Sequence, residues 1–312
     1  MNQLSFDELT DQMMNLYREG KYADALEIVE QNADRFPKHS ARTTFWKMCL
    51  LSLCGRRDNV LSVFQKGLDA GLWWAEIQFR DTDLDAMRDL PEFKRLVAES
   101  SRKYMEMQAQ IKPNRSVLVP EDISRELPLL IGLHGRNGHN DSHLEYWDVA
   151  RQRGWLVLSP QSRQALYEGA YSWTDNDQGL SDILFHLEEI MKIYRIDRDH
   201  IVTAGFSQGG GMAIYSALSE KVGARGFIGV GTFLTNTDSL IPLAKHTQSV
   251  RGYFITGEQD RLLGHIKEIQ KVLQENNVQF TEEVHSNLGH EFPADFGASF
   301  DKAIDFIFKE PE

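Results

Sequence analysis

At 312 residues, with 41% hydrophobic and 26% charged side chains and 9 prolines, the chain has room for two folded domains and carries no tract of disordered composition. Its formal charge of −12 argues against nucleic acid or an anionic membrane as partner, since both demand clustered Lys and Arg. The N-terminus is acidic where a secretory signal needs a basic segment ahead of an apolar run, and nowhere do about 18 apolar residues follow one another, so a cytoplasmic protein without a membrane span is expected.

Residues 1 to about 105 place apolar side chains at three- and four-residue spacing with no strand-like alternation, which predicts helix after helix. The first pair covers Phe6 to Arg18 and Tyr22 to Arg35, broken at Gly20 and closed by Pro37. The segment LYREGKYADALEIVEQNADRFPKH resembles the second half of a tetratricopeptide repeat, with Gly20, Tyr22, Ala25 and Pro37 at that repeat's positions. A degenerate copy follows 35 residues later, where Gly55, Val60 and Phe64 correspond to Gly20, Ala25 and Val29. DTDLDAMRDLPEFKRLV resembles the segment that closes such arrays. So short an array leans on something else to bury its apolar faces. Residues 1–110 are therefore expected to form a small all-α, tetratricopeptide-like domain that supports its neighbour or recruits a protein partner. Cys49 and Cys54, five apart in a predicted helix, face different ways and are expected to stay reduced.

After Lys112-Pro113-Asn114 the rhythm changes, and short apolar runs alternate with amphipathic stretches. Strands are predicted near 116–119, 128–133, 155–159, 200–205, 226–231, 252–256 and 279–284, with helices near 143–153, 178–194, 208–220, 261–276 and 296–309. Such alternation predicts an α/β domain over residues 111–312, its mainly parallel sheet covered on both faces and its ligands held beyond the carboxyl ends of the strands.

One strand end carries Gly205-Phe-Ser207-Gln-Gly209, the strand, tight turn and helix of a nucleophile elbow. A serine hydroxyl becomes nucleophilic only when a base takes its proton. Two later strand ends offer the partners: Asp260, in Gly257-Glu-Gln-Asp260, and His290, in Asn287-Leu-Gly-His290. The chain order Ser207, Asp260, His290 is that of an α/β-hydrolase triad, with Glu258 and His285 as competitors. Leu133-His-Gly-Arg-Asn-Gly138 supplies a glycine-rich loop, so that the N–H groups of Arg136 and Gln208 would form an oxyanion hole. His134, His139, Asp141 and His143 lie close enough in sequence to suggest a metal site, but Asn140 stands where a helical H-E-x-x-H has its glutamate, and no metal is expected.

IDRDHIVTAGFSQGG, LHGRNG and the late GEQD and GHEFP segments together resemble the phospholipase/carboxylesterase branch of the α/β-hydrolases, which includes acyl-protein thioesterases. The resemblance spans roughly residues 114 to 309. It implies the α/β-hydrolase fold and a serine hydrolase that needs no cofactor and cleaves carboxylic esters or thioesters. His200 and Arg136 depart from the pattern, where relatives carry an arginine and often an apolar residue. The loop from Gln161 to Asn176 is long enough to cover the site; Tyr171 and Trp173 on one side, and Phe233 and Leu234 on the other, are expected to wall a small-molecule ester, with Trp173 and Phe233 chosen as substrate contacts. A scaffold that keeps the fold without the chemistry, and a peptide hydrolase, are the alternatives.

Overall fold

Ser5 opens the first helix with a capping box: its hydroxyl accepts the N–H of Glu8 at 3.2 Å, and the Glu8 carboxylate accepts the N–H of Ser5 at 2.7 Å. The computed structural model describes residues 4–247 and 249–309. Helices α1 (Phe6–Arg18), α2 (Tyr22–Asn32), α3 (Ser40–Leu53), α4 (Arg57–Asp69) and α5 (Pro91–Gln108) follow one another, with only short 3-10 turns between. Gly20 and Gly55 sit at φ 73° and 72° after α1 and α3. At the first, the N–H groups of Gly20 and Lys21 donate to Tyr17 and Leu16; at the second, those of Gly55 and Arg56 donate to Ser52 and Leu51. The same left-handed helix stop, which only glycine makes without strain, recurs after α4 at Gly71, φ 88°, where the N–H groups of Gly71 and Leu72 donate to Leu68 and Gly67. Leu26, Val29, Met48, Val60, Phe64, Trp74, Phe79 and Phe93 form the apolar core of this unit.

The chain divides into two compact units: residues up to Ile111 together with Ala165–Ala170, and Lys112–Gln164 together with residues from Tyr171 onward. In the second unit, seven strands lie in the order β1 (Arg115–Leu118), β3 (Leu156–Pro160), β2 (Leu127–Leu133), β6 (Ile196–Phe206), β7 (Gly226–Val230), β8 (Arg251–Gly257) and β9 (Gln279–His285). Every pairing is parallel except that of β1 with β3.

Alternate residues feed two cores, as a strand's period of two requires. Leu129, Ile131 and Leu133 pack on one face with α7 (Asn176–Met191), α8 (Gln208–Leu218) and α10 (Leu263–Glu275); Leu130, Val157, Val202 and Ile228 pack on the other with α6 (Leu144–Gln152) and α11 (Phe296–Phe308). This is the α/β-hydrolase arrangement, a mostly parallel sheet with helices on both faces. No helix among the described residues is long and apolar enough to cross a membrane.

The stretch from Gln161 to Asn176 is more than a loop. Its middle is a hairpin of β4 (Gln164–Tyr167) and β5 (Ala170–Ser172), and Leu166, Tyr167 and Ala170 at its tip belong to the apolar core of the helical unit. The N–H of Ala75 donates to the Leu166 carbonyl at 2.7 Å, and Trp74 bridges to Tyr167. A 3-10 turn and a single-turn helix, α9 (Ile241–Ala244), complete the chain between β7 and β8.

Candidate active site

Strand β6 ends at Phe206 and α8 begins at Gln208, so one residue makes the whole turn. Ser207 makes it at φ 53°, ψ −119°, a strained conformation for a residue with a Cβ, costing about 1–3 kcal/mol and held only because its surroundings over-determine it. The Ser207 N–H donates to the Val230 carbonyl at 2.8 Å, and its own carbonyl accepts the N–H groups of Phe233 and Gly210 at 2.9 Å. The flanking glycines are there for space. A Cβ on Gly205 would stand 2.2 Å from the Gly209 carbonyl carbon, and one on Gly209 would stand 2.4 Å from the Leu133 carbonyl oxygen.

Against this serine the structure brings His290, whose Nε2 lies 2.9 Å from Ser207 Oγ and whose Nδ1 lies 2.9 Å from Asp260 Oδ2. Asp260 follows β8, and its other carboxylate oxygen accepts the Leu262 N–H at 2.8 Å. Burial pushes the Asp260 carboxyl up, but the hydrogen bonds from His290 and the Leu262 N–H outweigh it and hold the group below its ordinary value, so it is a carboxylate at neutral pH. The Asp260 side chain is 0% exposed and that of His290 17%, which leaves the imidazole partly open to solvent and the carboxylate shielded. Gly231, at φ 52°, closes against the pair: a Cβ there would sit 3.0 Å from both Asp260 Oδ2 and His290 Nδ1.

The competitors stand elsewhere. His285 Nε2 lies 3.5 Å from Glu283 Oε1 and 3.4 Å from Ser299 Oγ, while Glu258 is exposed and donates its N–H to the His285 carbonyl.

The glycine loop beyond β2 lies beside the elbow: a Cβ on Gly135 would come 3.6 Å from that of Ser207. Gln208 opens α8, so its N–H belongs to the first turn, which has no intrahelical acceptor. Arg136 is exposed and next in chain to Gly135. The four residues that suggest a metal cluster in sequence do not converge. His134 is fully buried with Nδ1 2.8 Å from the Gly135 carbonyl, and His139 Nδ1 accepts the Asp141 N–H at 3.2 Å. His143 packs its ring among Phe206, Phe292 and Tyr146. Burial pushes His134 down to about 3 and His143 down to about 4, with backbone hydrogen bonding at His134 opposing the effect, so both are neutral.

Trp173 requires a correction. It is 1% exposed, its indole N–H donates to the His134 carbonyl at 2.8 Å, and its backbone N–H donates to Gln208 Oε1 at 2.9 Å. A side chain so enclosed supports the site from behind and presents no face to substrate. Phe233 is half-buried with its ring 4.8 Å from that of His265, Leu234 is buried, and Tyr171 is half-buried. Sequence reasoning misses the places of Gly231, of Ser162, whose N–H donates to His134 Nε2 at 3.3 Å, and of the Gln208 side chain, because their partners are distant in the chain.

Residues 5–108 match the model of a domain described as A/B hydrolase-like, N-terminal, and residues 173–309 match that of the family described as Phospholipase/Carboxylesterase. The second match begins at Trp173 and leaves the glycine loop outside it. Among curated proteins the chain is similar to the bifunctional acetylxylan esterase/xylanase XynS20E of Neocallimastix patriciarum, 28% identical over 107 residues that make up 33% of this chain and 15% of that protein. The chain thus spans a small part of that relative's length. Among solved structures it is similar to an uncharacterized protein from Bacillus cereus ATCC 10987, at a TM-score of 0.54 and 21% identity over 97% of this chain and 99% of that one. It is also similar to esterase PE8, at a TM-score of 0.51 and 14% identity over 62% of this chain and 97% of that one. At such identities the likeness is one of fold.

Proposed function

We propose that the chain, whose residues 173–309 match the phospholipase/carboxylesterase family model, is a serine hydrolase of carboxylic esters or thioesters working through an acyl-enzyme on Ser207. The observation that carries this reading is the pair of 2.9 Å contacts running from Ser207 Oγ through His290 to Asp260 at the strained elbow. His290 Nε2 takes the hydroxyl proton as Ser207 Oγ bonds to the ester carbonyl carbon. The carbonyl oxygen becomes an oxyanion and accepts the N–H groups of Arg136 and Gln208, each worth about 3–4 kcal/mol in the transition state. Collapse of the adduct expels the alcohol or thiol, which receives the proton from His290. Water, deprotonated by the same nitrogen, then attacks the acyl-enzyme, and a second collapse releases the acid and restores the Ser207 hydroxyl. Asp260 holds the Nδ1–H of His290 throughout and stabilises the imidazolium.

The substrate is a small-molecule ester, with Phe233 beside the acyl group. The two cysteines are free thiols, Cys49 buried, which suits a reducing compartment and agrees with a cytoplasmic protein. A part for the helical domain in recruiting a protein belongs to this proposal too, and a pull-down with full-length protein would test it.

Exposure to a fluorophosphonate probe, read by intact mass, tests the chemistry. One adduct is expected on the wild type and none on Ser207→Ala, whose turnover of an activated ester should fall by about three to six orders of magnitude. Ester hydrolysis that survives Ser207→Ala would sink the assignment.

A further inference from the structure

The peptide group between Gly135 and Arg136 carries two ends of interest. Its N–H is the donor assigned above to the oxyanion hole, and its carbonyl is that of Gly135. Because a peptide is planar and trans, whatever fixes the carbonyl fixes the direction of the N–H. Two groups hold that carbonyl: the N–H of Gly138 at 3.1 Å and His134 Nδ1 at 2.8 Å.

The His134 ring is itself held on every side. Its Nε2 faces the backbone N–H of Ser162 at 3.3 Å, and since that N–H can only donate, Nε2 must accept and the ring proton must sit on Nδ1. Nδ1–H therefore donates to Gly135. Ser162 is anchored in turn by the next residue, Arg163, whose backbone N–H and side-chain Nε both donate to the buried Asp182 carboxylate, at 2.9 and 2.6 Å. On its backbone side, the His134 carbonyl accepts the Trp173 indole N–H at 2.8 Å, while the Trp173 backbone N–H holds the Gln208 side chain. One buried network thus reaches both residues that offer oxyanion donors.

Resting on the serine-hydrolase reading, we propose that His134 is a positioning residue: as the neutral Nδ1–H tautomer it locks the Gly135–Arg136 peptide so that the Arg136 N–H is aimed where the oxyanion forms. It touches neither substrate nor Ser207 and exchanges no proton. Full burial, which pushes its ionisation down to about 3, keeps one tautomer across the working pH range. The oxyanion exists only in the transition state and adducts, so loss of the lock acts on kcat and leaves KM largely alone.

The test compares His134→Asn, whose side-chain amide can still donate to the Gly135 carbonyl, with His134→Leu, of similar bulk and no donor. On an activated ester, His134→Leu should lose about 30- to 300-fold in kcat at little-changed KM, and its affinity for an alkyl trifluoromethyl ketone, whose Ser207 adduct carries an oxyanion, should fall in parallel. His134→Asn should stay within about fivefold of wild type, although both variants lose the acceptor for Ser162 and should lose similar thermal stability. Equal kcat losses in the two variants, or a loss that tracks melting temperature alone, would overturn the proposal. Nitrogen-15 spectra of histidine in the wild type need no variant to fold: a protonated Nδ1 and bare Nε2 on His134, unchanged from pH 5 to 9, are expected, and the opposite tautomer would overturn it. Failure of the wild type itself to hydrolyse esters would instead remove the underlying reading.

Discussion

Ser207 shows how neighbours sustain a strained residue: the conformation at φ 53° persists because its backbone is hydrogen-bonded to Val230, Gly210 and Phe233, and because glycines at 205 and 209 let the turn close where a Cβ would clash. Gly231 is as demanding. A methyl group there meets Asp260 Oδ2 and His290 Nδ1 at 3.0 Å in a backbone region that side chains avoid, so Gly231→Ala should displace the imidazole. We expect kcat to fall about 10- to 100-fold with the fold intact, measured by steady-state kinetics beside a melting curve. Asp260→Asn keeps the shape and presents an amide to Nδ1, which favours the wrong tautomer; kcat should drop about 10⁴-fold, and unchanged turnover would remove Asp260 from its role. The grouping of Ser207, Asp260 and His290 is legible in the sequence, because their chain order and their places at strand ends single them out. His134 and Gly231 are not legible in these roles, since Ser162 is 28 residues from His134 and the triad closes on Gly231 only once β7, β8 and the loop after β9 lie side by side.

At the level of elements, the seven strands and the helices between them follow the sequence pattern to within a few residues, and the inner strands β2, β3, β7 and β8 do so because strands buried on both faces are continuous apolar runs. The larger departure is β6, which begins at Ile196, through polar residues that the apolar run excludes. The hairpin β4–β5 is hidden for a different reason: Gln164-Ala-Leu-Tyr167 has no distinctive period, and what buries it is a core built far earlier in the chain. Leu166 is 1% exposed there, so Leu166→Ala should cost about 2–5 kcal/mol. Urea denaturation followed by a signal from the helical unit would show it as a lowered midpoint. A midpoint unchanged within error would mean that Leu166 contributes little to that core.

Across the whole molecule, two buried histidines, His134 and His186, and the half-buried His143 make acid stability predictable. Burial pushes His134 down to about 3 and His143 and His186 down to about 4, with the Arg115 guanidinium, 3.3 Å from His186 Nδ1, adding to the effect at that residue. Unfolded, each titrates near 6.5. Between about pH 6.5 and 4 the unfolded chain therefore binds protons that the folded one refuses, and stability is lost as pH falls through that window, by up to about 1.4 kcal/mol per pH unit per histidine. His186→Gln should flatten the slope of unfolding free energy against pH by about a third of the three-histidine share; a parallel line would show that His186 titrates normally in the folded state. The resemblance to phospholipases and carboxylesterases is legible in the motifs, whereas the assignment of residues 165–170 to the helical unit is not legible in the sequence. That assignment bears on synthesis. The helical unit is translated first, yet its core lacks Leu166, Tyr167 and Ala170 until the ribosome has gone well beyond Ile111, a wait of about 3 to 12 seconds at ordinary elongation rates. During that interval the apolar core of the nascent helical unit is missing the side chains of Leu166, Tyr167 and Ala170.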